Sequence, residues 1–148
     1  MPIPSHQIHR MRAEENIEFN AQAYEEMLSK VLNGRALDYI MLGMGEDGHT
    51  ASLFPGSHAL SEEHKSVVAN WVPSKNTWRM TLTYPCINSA RHIVIYVMGE
   101  SKQSMLLKVL TDQLHFLDLP VTKIGTKQHK ALWICDEDAS KQIQGLLK

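Results

Sequence analysis

A short stretch of the sequence, from Gly43 to Gly56, combines residue types that can do chemistry. It reads Gly-Met-Gly-Glu-Asp-Gly-His-Thr-Ala-Ser-Leu-Phe-Pro-Gly and follows an apolar run at residues 37–42. The apolar run predicts a buried strand, and open α/β sheets bind their ligands just beyond the carboxyl ends of strands. The stretch is therefore predicted to be a functional site rather than part of the core.

His49 is the candidate general base of this stretch. The neutral imidazole of a histidine is abundant near neutral pH and can accept a proton from water. Asp47 can hold the other ring nitrogen and stabilise the cation that forms, as carboxylates do in catalytic triads. It can equally cap the turn that follows, and the residues alone leave both roles open. Of the eight histidines in the chain, His49 is the one at a glycine turn beside two carboxylates.

Two other chemistries are disfavoured at the same stretch. Gly43, Gly45 and Gly48 satisfy the G-x-G-x-x-G pattern of dinucleotide-binding loops, but that pattern needs a full helix after the third glycine and an acidic residue about 20 positions later. Pro55 interrupts the helix, and residues 64–99 contain no Asp or Glu. A dinucleotide site is therefore not expected.

A metal site and an acyl-enzyme are also not expected. His49, Asp47 and Glu46 are too closely spaced on one turn to form a convincing complete ligand set, so we predict no metal and no other cofactor. The sequence contains no G-x-S-x-G nucleophile elbow, and its cysteines have no distinctive histidine partner. Water is therefore the predicted nucleophile.

Positive charge is concentrated between residues 64 and 99. This segment carries Lys65, Lys75, Arg79 and Arg91 without an acidic residue, in a chain whose net charge is −1. Such a local excess favours an anionic ligand. Lys65 and Lys75 lie beside polar turns and are predicted to be solvated.

Composition limits the class of protein. A length of 148 residues with 43% hydrophobic content fits a single domain, residues 1–148, with its own core. The near-neutral charge argues against nucleic-acid binding by phosphate neutralisation. No apolar run suits a signal peptide or a membrane span, and Cys86 and Cys135 show neither zinc-site nor disulfide-scaffold spacing. We therefore expect a cytoplasmic protein that binds a small molecule, with two buried thiols.

The elements that must position these residues alternate between helix and strand. A helix is predicted over residues 14–32, because apolar residues recur at helical spacing and Asn33-Gly34 supplies a stop. The strand at 37–42, apolar on both faces apart from Asp38, is predicted to be covered on both sides. A helical turn or two should follow His49 before Pro55 ends it.

The second half of the chain continues this pattern. Residues 67–72 and 79–83 are predicted to form a hairpin, and 92–98 is predicted as a strand followed by a helix. Residues 131–135 are predicted as a buried strand, after which Asp136 or Asp138 caps a last helix. That helix should carry Ala139, Ile143, Leu146 and Leu147. Strands alternating with helices predict an α/β layered fold.

Several segments of the chain, spread over nearly its whole length, resemble the 6-phosphogluconolactonases, which hydrolyse the δ-lactone of 6-phosphogluconate. The resemblance covers Gly43–Gly56, Arg79–Thr83, Asn88–Arg91, Gly99–Lys102, Leu119–Pro120 and Leu132–Asp136.

The resemblance implies a fold and a partner. The implied fold is a three-layer, mostly parallel open sheet with helices on both faces, like that of the lactonase and glucosamine-6-phosphate deaminase superfamily. Members of the family carry an N-terminal Gly-rich Ser/Thr loop and an Asp-Glu-Arg motif that do not occur here, so the fold is expected to lack the family's N-terminal part. Uncovered sheet surface would then favour self-association or a complementing chain.

The resemblance also implies a reaction. The substrate is 6-phospho-D-glucono-1,5-lactone, with His49 and Asp47 as the catalytic residues. Arg79 and Lys102 are implied to contact the phosphate, for which a guanidinium fork and a first helical turn are well suited. The loop from Gly43 to Thr50 is implied to lie under the lactone ring. The implied substrate-binding set is Gly43, Gly45, Glu46, Gly48, Thr50, Arg79 and Lys102.

Two alternative functions are left open. Glucosamine-6-phosphate deaminases share the Gly-x-Asp-Gly-His element but continue with a Phe-Asn-Glu-Pro type sequence, where this chain has Ser52-Leu53-Phe54-Pro55. The lack of an acidic residue there favours the lactonase. The other alternative is a non-catalytic sugar-phosphate-binding remnant, or one half of an enzyme whose other half is a separate chain.

Overall fold

The computed structural model describes residues 2–111 and 119–146, which form two β-sheets and the helices around them. Short 3₁₀ turns link several of these elements. The helices are α1 (Ile17–Leu32), α2 (Tyr84–Asn88), α3 (Gln103–Thr111) and α4 (Glu137–Ser140). The strands are β1 (Tyr39–Gly43), β2 (Val67–Val72), β3 (Thr77–Leu82), β4 (His92–Val97) and β5 (Ala131–Cys135).

The main sheet is parallel, with the strand order β1-β4-β5. Its register aligns Leu42 with Ile95 and Ile95 with Trp133. All three strands were predicted, β5 with both of its ends. The crossover from β1 to β4 contains the hairpin, and the crossover from β4 to β5 contains α3. The sheet and its surrounding helices confirm the predicted α/β class.

Only one face of β1 is covered by the described residues, which corrects the prediction that both are. Ile40 and Leu42 are buried in the main core with Ile95 of β4. On the other face Tyr39 is 51% exposed and Met41 is 66% exposed. An apolar run alone does not reveal which of its two faces has a neighbour, so the sequence could not make this distinction.

The exposed face continues across the sheet. Met41 aligns with Val94 and Val94 with Leu132, so the three side chains share that face. Val94 on the central strand is buried, whereas Leu132 on β5 is 59% exposed. Parallel sheets are usually covered on both faces, so this apolar surface is unusual.

The predicted hairpin is confirmed as an antiparallel pair, β2 with β3. Helix α1 packs on it, and Ile17, Ala21, Val67 and Met80 form a second small core there. The helix begins at Ile17 rather than at residue 14, because Asn16 takes a left-handed conformation with φ of 39°. Its end at Leu32, before the left-handed Asn33, was predicted.

The helix predicted after the strand at 92–98 is confirmed as α3, whereas α4 is shorter than predicted and α2 lies where no helix was expected. Asp136 is confirmed as the cap of α4, because its carboxylate accepts the Ala139 N–H at 2.7 Å. However, α4 ends at Ser140 and continues as turns to residue 146, while Leu147 lies outside the described residues. Helix α2 was missed. Its N-cap is Thr83, whose side chain accepts the Cys86 N–H at 3.4 Å.

The predicted helical turn after His49 does not form. Thr50 and Leu53 instead exchange backbone hydrogen bonds across a tight turn. Ala51 within it has φ of 48°, which is incompatible with a right-handed helix. The chain therefore doubles back, and Phe54 is brought next to His49.

Two further features concern the class of protein. Cys86 is buried as predicted, whereas Cys135 is half-buried, and both are free thiols whose pKa is raised by burial. Within the described ranges, no helix combines the length and the apolar character that crossing a bilayer requires.

Candidate active site

The glycine loop lies at the carboxyl end of β1 and is held by its own backbone. The Gly45 N–H donates to the His49 carbonyl at 2.8 Å, and the Gly48 N–H donates to the Gly45 carbonyl at 3.1 Å. Gly48 has φ of +77°, a left-handed conformation that favours glycine. The Thr50 hydroxyl donates to the Gly43 carbonyl at 2.8 Å and ties the end of the loop to the strand.

His49 and Asp47 are in direct contact within this loop. The imidazole Nδ1 lies 2.5 Å from Asp47 Oδ1. The same oxygen accepts the backbone N–H of His49 at 3.1 Å. Asp47 therefore both caps the turn and holds the ring, and these are the two roles that the sequence left open. With a proton on Nδ1 shared with the carboxylate, the lone pair on Nε2 is the one able to accept a proton.

Gly45 provides the space in which this pair sits. A Cβ atom at this position would lie 2.0 Å from His49 Nδ1 and 2.6 Å from Asp47 Oδ1. Both distances are far below van der Waals contact, so no other residue fits without displacing the pair. The requirement for glycine here comes from close approach and not from a left-handed backbone.

The electrostatic state of Asp47 follows from the same contacts. Partial burial would raise the pKa of its carboxyl group. The hydrogen bonds from the His49 ring and backbone oppose this effect and hold the pKa below its usual value. The carboxylate is therefore ionised at neutral pH and available to stabilise a cationic imidazole.

Of the two predicted phosphate contacts, Lys102 is joined to the loop directly. It lies in a 3₁₀ turn, Glu100–Lys102, that leads into α3. Its Nζ lies 3.8 Å from Oε1 of Glu46, and its side chain is 23% exposed. The Lys102 ammonium group thus lies beside the glycine loop, where its partner is Glu46, another residue of the predicted substrate-binding set.

Arg79 is joined to the loop through its strand. On β3 it shares a face with Thr81, whose hydroxyl accepts the Ser52 N–H at 3.1 Å. The side chain of Arg79 itself is exposed. Its strand therefore contacts the segment that follows His49, two residues along the strand from the exposed arginine.

Three residues that build the site were not singled out from the sequence. The ring of Phe54 stacks on the His49 imidazole, with centroids 4.0 Å apart and planes inclined by 16°. Asn70 is fully buried on β2 and donates to the Ser52 carbonyl at 2.8 Å and to the Ser57 hydroxyl at 3.0 Å. Thr81, within the Arg79–Thr83 segment, accepts the Ser52 N–H. The sequence signal that could have revealed this network is an asparagine within an otherwise apolar strand.

Two other features of the described residues bear on ligands. Residues 2–111 and 119–146 contain no group of three or more His, Cys, Asp or Glu able to hold a metal ion. A cavity of about 620 Å³ lies between α1 and β2, away from the glycine loop. Its lining includes Glu18, Phe19, Glu25, His58 and Lys65.

Comparisons with known proteins agree on one family. A sequence model of the family described as glucosamine-6-phosphate isomerases/6-phosphogluconolactonase matches residues 1–133, which is most of the chain. The chain belongs to this family.

Relatives within the glucosamine-6-phosphate isomerase/6-phosphogluconolactonase family match nearly all of this chain. The 6-phosphogluconolactonase of Chlamydia trachomatis serovar D is 41% identical over 140 residues, which cover 95% of this chain and 54% of that protein. The chain thus spans about half the length of the curated relatives that it matches.

Solved structures agree with the family assignment. A crystal structure of a devB protein superposes with a TM-score of 0.86 at 29% identity, over 97% of this chain and 61% of that one. The 6-phosphogluconolactonase from Trypanosoma cruzi superposes with a TM-score of 0.72 at 26% identity, over 94% of this chain and 56% of that one. The predicted resemblance and the predicted α/β class with a mostly parallel sheet are both confirmed.

Proposed function

We propose that this chain hydrolyses 6-phospho-D-glucono-1,5-lactone to 6-phosphogluconate, the pentose-phosphate reaction for which its relatives are named. The observation that carries the proposal is the pair formed by His49 and Asp47, whose side-chain atoms lie 2.5 Å apart in a glycine loop at the carboxyl end of a parallel strand. A water-activating base is the main requirement for hydrolysing a lactone without a covalent intermediate.

In this proposal His49 is the general base. Its Nε2 takes a proton from a water molecule while that water attacks the C1 carbonyl of the lactone. Asp47 keeps Nδ1 protonated and stabilises the imidazolium that forms. When the ring C–O bond breaks, the imidazolium returns its proton to the departing oxygen, which becomes the hydroxyl group of the open-chain acid.

The remaining predicted residues serve binding. Arg79 and Lys102 bind the phosphate, and the loop from Gly43 to Thr50 lies under the lactone ring. The position of Lys102 beside Glu46, and of Arg79 on the strand that contacts Ser52, supports this division. Glu46 limits the positive charge at Lys102 before a dianionic phosphate arrives.

The loop's backbone limits where an oxyanion can be stabilised. The N–H groups of Gly45, Gly48 and His49 donate within the loop or to its carboxylate, and the Thr50 N–H donates to the Leu53 carbonyl. Donors for the developing C1 oxyanion must therefore come from other groups that face the substrate.

The test is a hydrolysis assay measured against the spontaneous background. Acceleration by the folded chain, lost by at least about 10²-fold in His49→Ala, is expected because general-base catalysis contributes on this scale. His64→Ala, at an exposed histidine, is the matched control and should retain activity. A folded wild-type protein that gives no acceleration would refute the enzyme and leave a sugar-phosphate-binding remnant or a half-enzyme.

The deaminase alternative is disfavoured by the residue beside the base. Phe54, an apolar ring, lies against His49 where the resemblance places an acidic proton carrier in deaminases. We therefore expect no release of ammonia from glucosamine 6-phosphate, measured by a coupled ammonia assay under the same conditions.

The proposal extends to organisation. Residues 1–148 are proposed to form one cytoplasmic lactonase-like domain. The exposed apolar face that includes Tyr39, Met41 and Leu132 supports self-association or the binding of a complementing chain, because apolar surfaces of this kind are usually buried.

A further inference from the structure

The ring of Phe54 lies nearly parallel to the imidazole of His49. The ring centroids are 4.0 Å apart and the planes differ by 16°. Phe54 is 6% exposed, so it is a fixed part of the interior rather than a mobile surface side chain. The proposed mechanism gives this residue no role.

The backbone around Phe54 is anchored from two directions. Its carbonyl accepts the N–H of Ser57 at 3.0 Å and the hydroxyl of the same residue at 2.8 Å. Asn70 on β2 donates to that hydroxyl at 3.0 Å. The tight turn between Thr50 and Leu53 then sets the short path from His49 to Phe54. The stacked position is therefore determined by the hairpin and the turn together.

The imidazole needs a restraint that Asp47 alone does not supply. The hydrogen bond to Asp47 acts at one nitrogen, in the plane of the ring, and leaves the ring able to tilt about that contact. A parallel aromatic surface at 4.0 Å opposes the tilt on the face that it covers. An aromatic face also attracts a cation, so it favours the imidazolium that forms on proton uptake.

We propose that Phe54 is a positioning residue for His49, whose stacked ring holds the imidazole plane so that Nε2 faces the attacking water. The proposal rests on the proposed function, since it assigns Phe54 to the same general base. A base displaced by about 1 Å can lose about 10²-fold in rate, so the effect of removing the ring should be large.

The experiment compares Phe54→Leu, Phe54→Tyr and the control Ile87→Val. Ile87 is a fully buried aliphatic residue on α2, outside the segment that carries the stacked pair, and its truncation causes a modest packing loss. For each folded variant, kcat and KM are measured for the lactone. The His49 ring protons are also followed by NMR, with their signals identified by their absence in His49→Ala.

The expected result separates positioning from packing. Phe54→Leu should lower kcat by about 10- to 100-fold with little change in KM, since the base and not substrate binding is disturbed. Its His49 ring protons should lose the upfield displacement that a stacked aromatic ring causes, and their NOEs to the loop backbone should change because the imidazole tilts. Phe54→Tyr should restore both kcat and the displacement, and Ile87→Val should change neither.

Two outcomes would overturn the proposal. One is a Phe54→Leu variant with a reduced kcat but unchanged NOEs from the His49 ring to the loop backbone, which would show that the loss does not pass through the orientation of the imidazole. The other is a Phe54→Leu variant whose His49 signals differ from those of the wild type but whose kcat is unchanged. If the wild-type protein proves inactive, the proposed function fails separately. The NOEs from the His49 ring protons to the loop backbone then decide alone, and equal NOEs in wild type and Phe54→Leu would refute the positioning role.

Discussion

At the scale of single residues, the site depends on one missing side chain. Gly45 lets the Asp47 carboxylate and the His49 imidazole occupy the space that a Cβ would fill, at 2.6 Å and 2.0 Å respectively. The base of the proposed mechanism, the His49 imidazole, is therefore held by its hydrogen bond to Asp47 on one side and by the backbone of Gly45 on another. The loop geometry and the chemistry are thus set by the same residue.

Gly45→Ala should remove most of the activity while the protein stays folded. The added methyl group must displace the imidazole or the carboxylate, and a misplaced base loses about 10²-fold or more in kcat. Lactone hydrolysis and circular dichroism measure the two effects. Gly145→Ala is the matched control, because a Cβ there meets nothing within 4 Å. Wild-type kcat in Gly45→Ala would contradict the assigned position of the base.

Asp47→Asn tests the electrostatic role of the carboxylate. The substitution keeps the shape of the side chain but removes the charge that stabilises the imidazolium, and it offers Nδ1 an amide instead of a carboxylate. We expect kcat to fall by about 10²- to 10⁴-fold with little change in KM. Steady-state kinetics on the lactone give this result, and a loss confined to KM would argue that Asp47 binds substrate instead.

The lowered pKa of Asp47 also predicts a dependence of stability on pH. Because the carboxyl group has a lower pKa in the folded state, its ionised form favours folding above the unfolded value of about 4, and this contribution is lost as the pH falls through the folded pKa. The amide introduced by Asp47→Asn does not titrate. Urea unfolding from pH 3 to 7 should therefore show a wild-type advantage over this variant that shrinks below about pH 4. A difference in the free energy of unfolding that stays constant from pH 3 to 7 would contradict the lowered pKa of Asp47.

At the scale of elements, the hairpin of β2 and β3 positions the segment that follows His49. Asn70 bonds to the Ser52 carbonyl, to the Ser57 hydroxyl and to the Ala59 N–H, the last at 3.3 Å. Thr81 on the partner strand accepts the Ser52 N–H. A two-stranded sheet thus fixes a loop that has no regular structure of its own.

Asn70→Ala should therefore reduce both stability and activity. It leaves buried polar groups without partners, which costs about 1–3 kcal/mol in the free energy of unfolding, and it frees the segment that carries Phe54. Urea denaturation and the lactone assay measure the two losses. Ser61→Ala, which removes an exposed hydroxyl bond to the His58 carbonyl, should shift stability by no more than about 0.5 kcal/mol. Unchanged activity in a destabilised Asn70→Ala variant would show that the hairpin does not position the site.

At the scale of the whole molecule, the main unusual feature is the face of the main sheet that residues 2–111 and 119–146 leave uncovered. Tyr39, Met41, Leu132 and Ile134 are between 38% and 66% exposed on it. Parallel strands normally have both faces covered, so an apolar surface of this size favours association. This surface lies on the opposite side of the sheet from the main core that contains Ile40 and Leu42.

Charges placed on this face should reduce self-association. We expect the wild-type chain to sediment above its monomer mass of 16.8 kDa at high concentration, and Met41→Glu with Leu132→Glu to move it toward monomer. Phe19→Glu on α1, at a side chain that is 65% exposed, is the control and should leave the association unchanged. A wild-type protein that stays monomeric at high concentration would refute self-association, leaving the complementing chain to be tested.

The sequence by itself determined the order of the strands and the residues of the loop. Strands β2 and β5 were predicted with both ends, because alternating or continuous apolar runs between turn residues are local signals. His49 and Asp47 were identified as candidate site residues because residue type and neighbouring glycines are also local signals. The family followed from the same loop and from motifs along the chain.

Only the tertiary structure decided which surfaces meet. Phe54 lies on His49 because the chain turns back at Ala51 and Asn70 holds the segment, and the bond between Asn70 and Ser52 joins residues 18 positions apart. The exposure of Met41 could not be predicted from the sequence either, since an apolar strand has the same pattern whether one face or both are packed. Local sequence specifies backbone conformation and residue chemistry, whereas burial depends on what the rest of the fold places nearby.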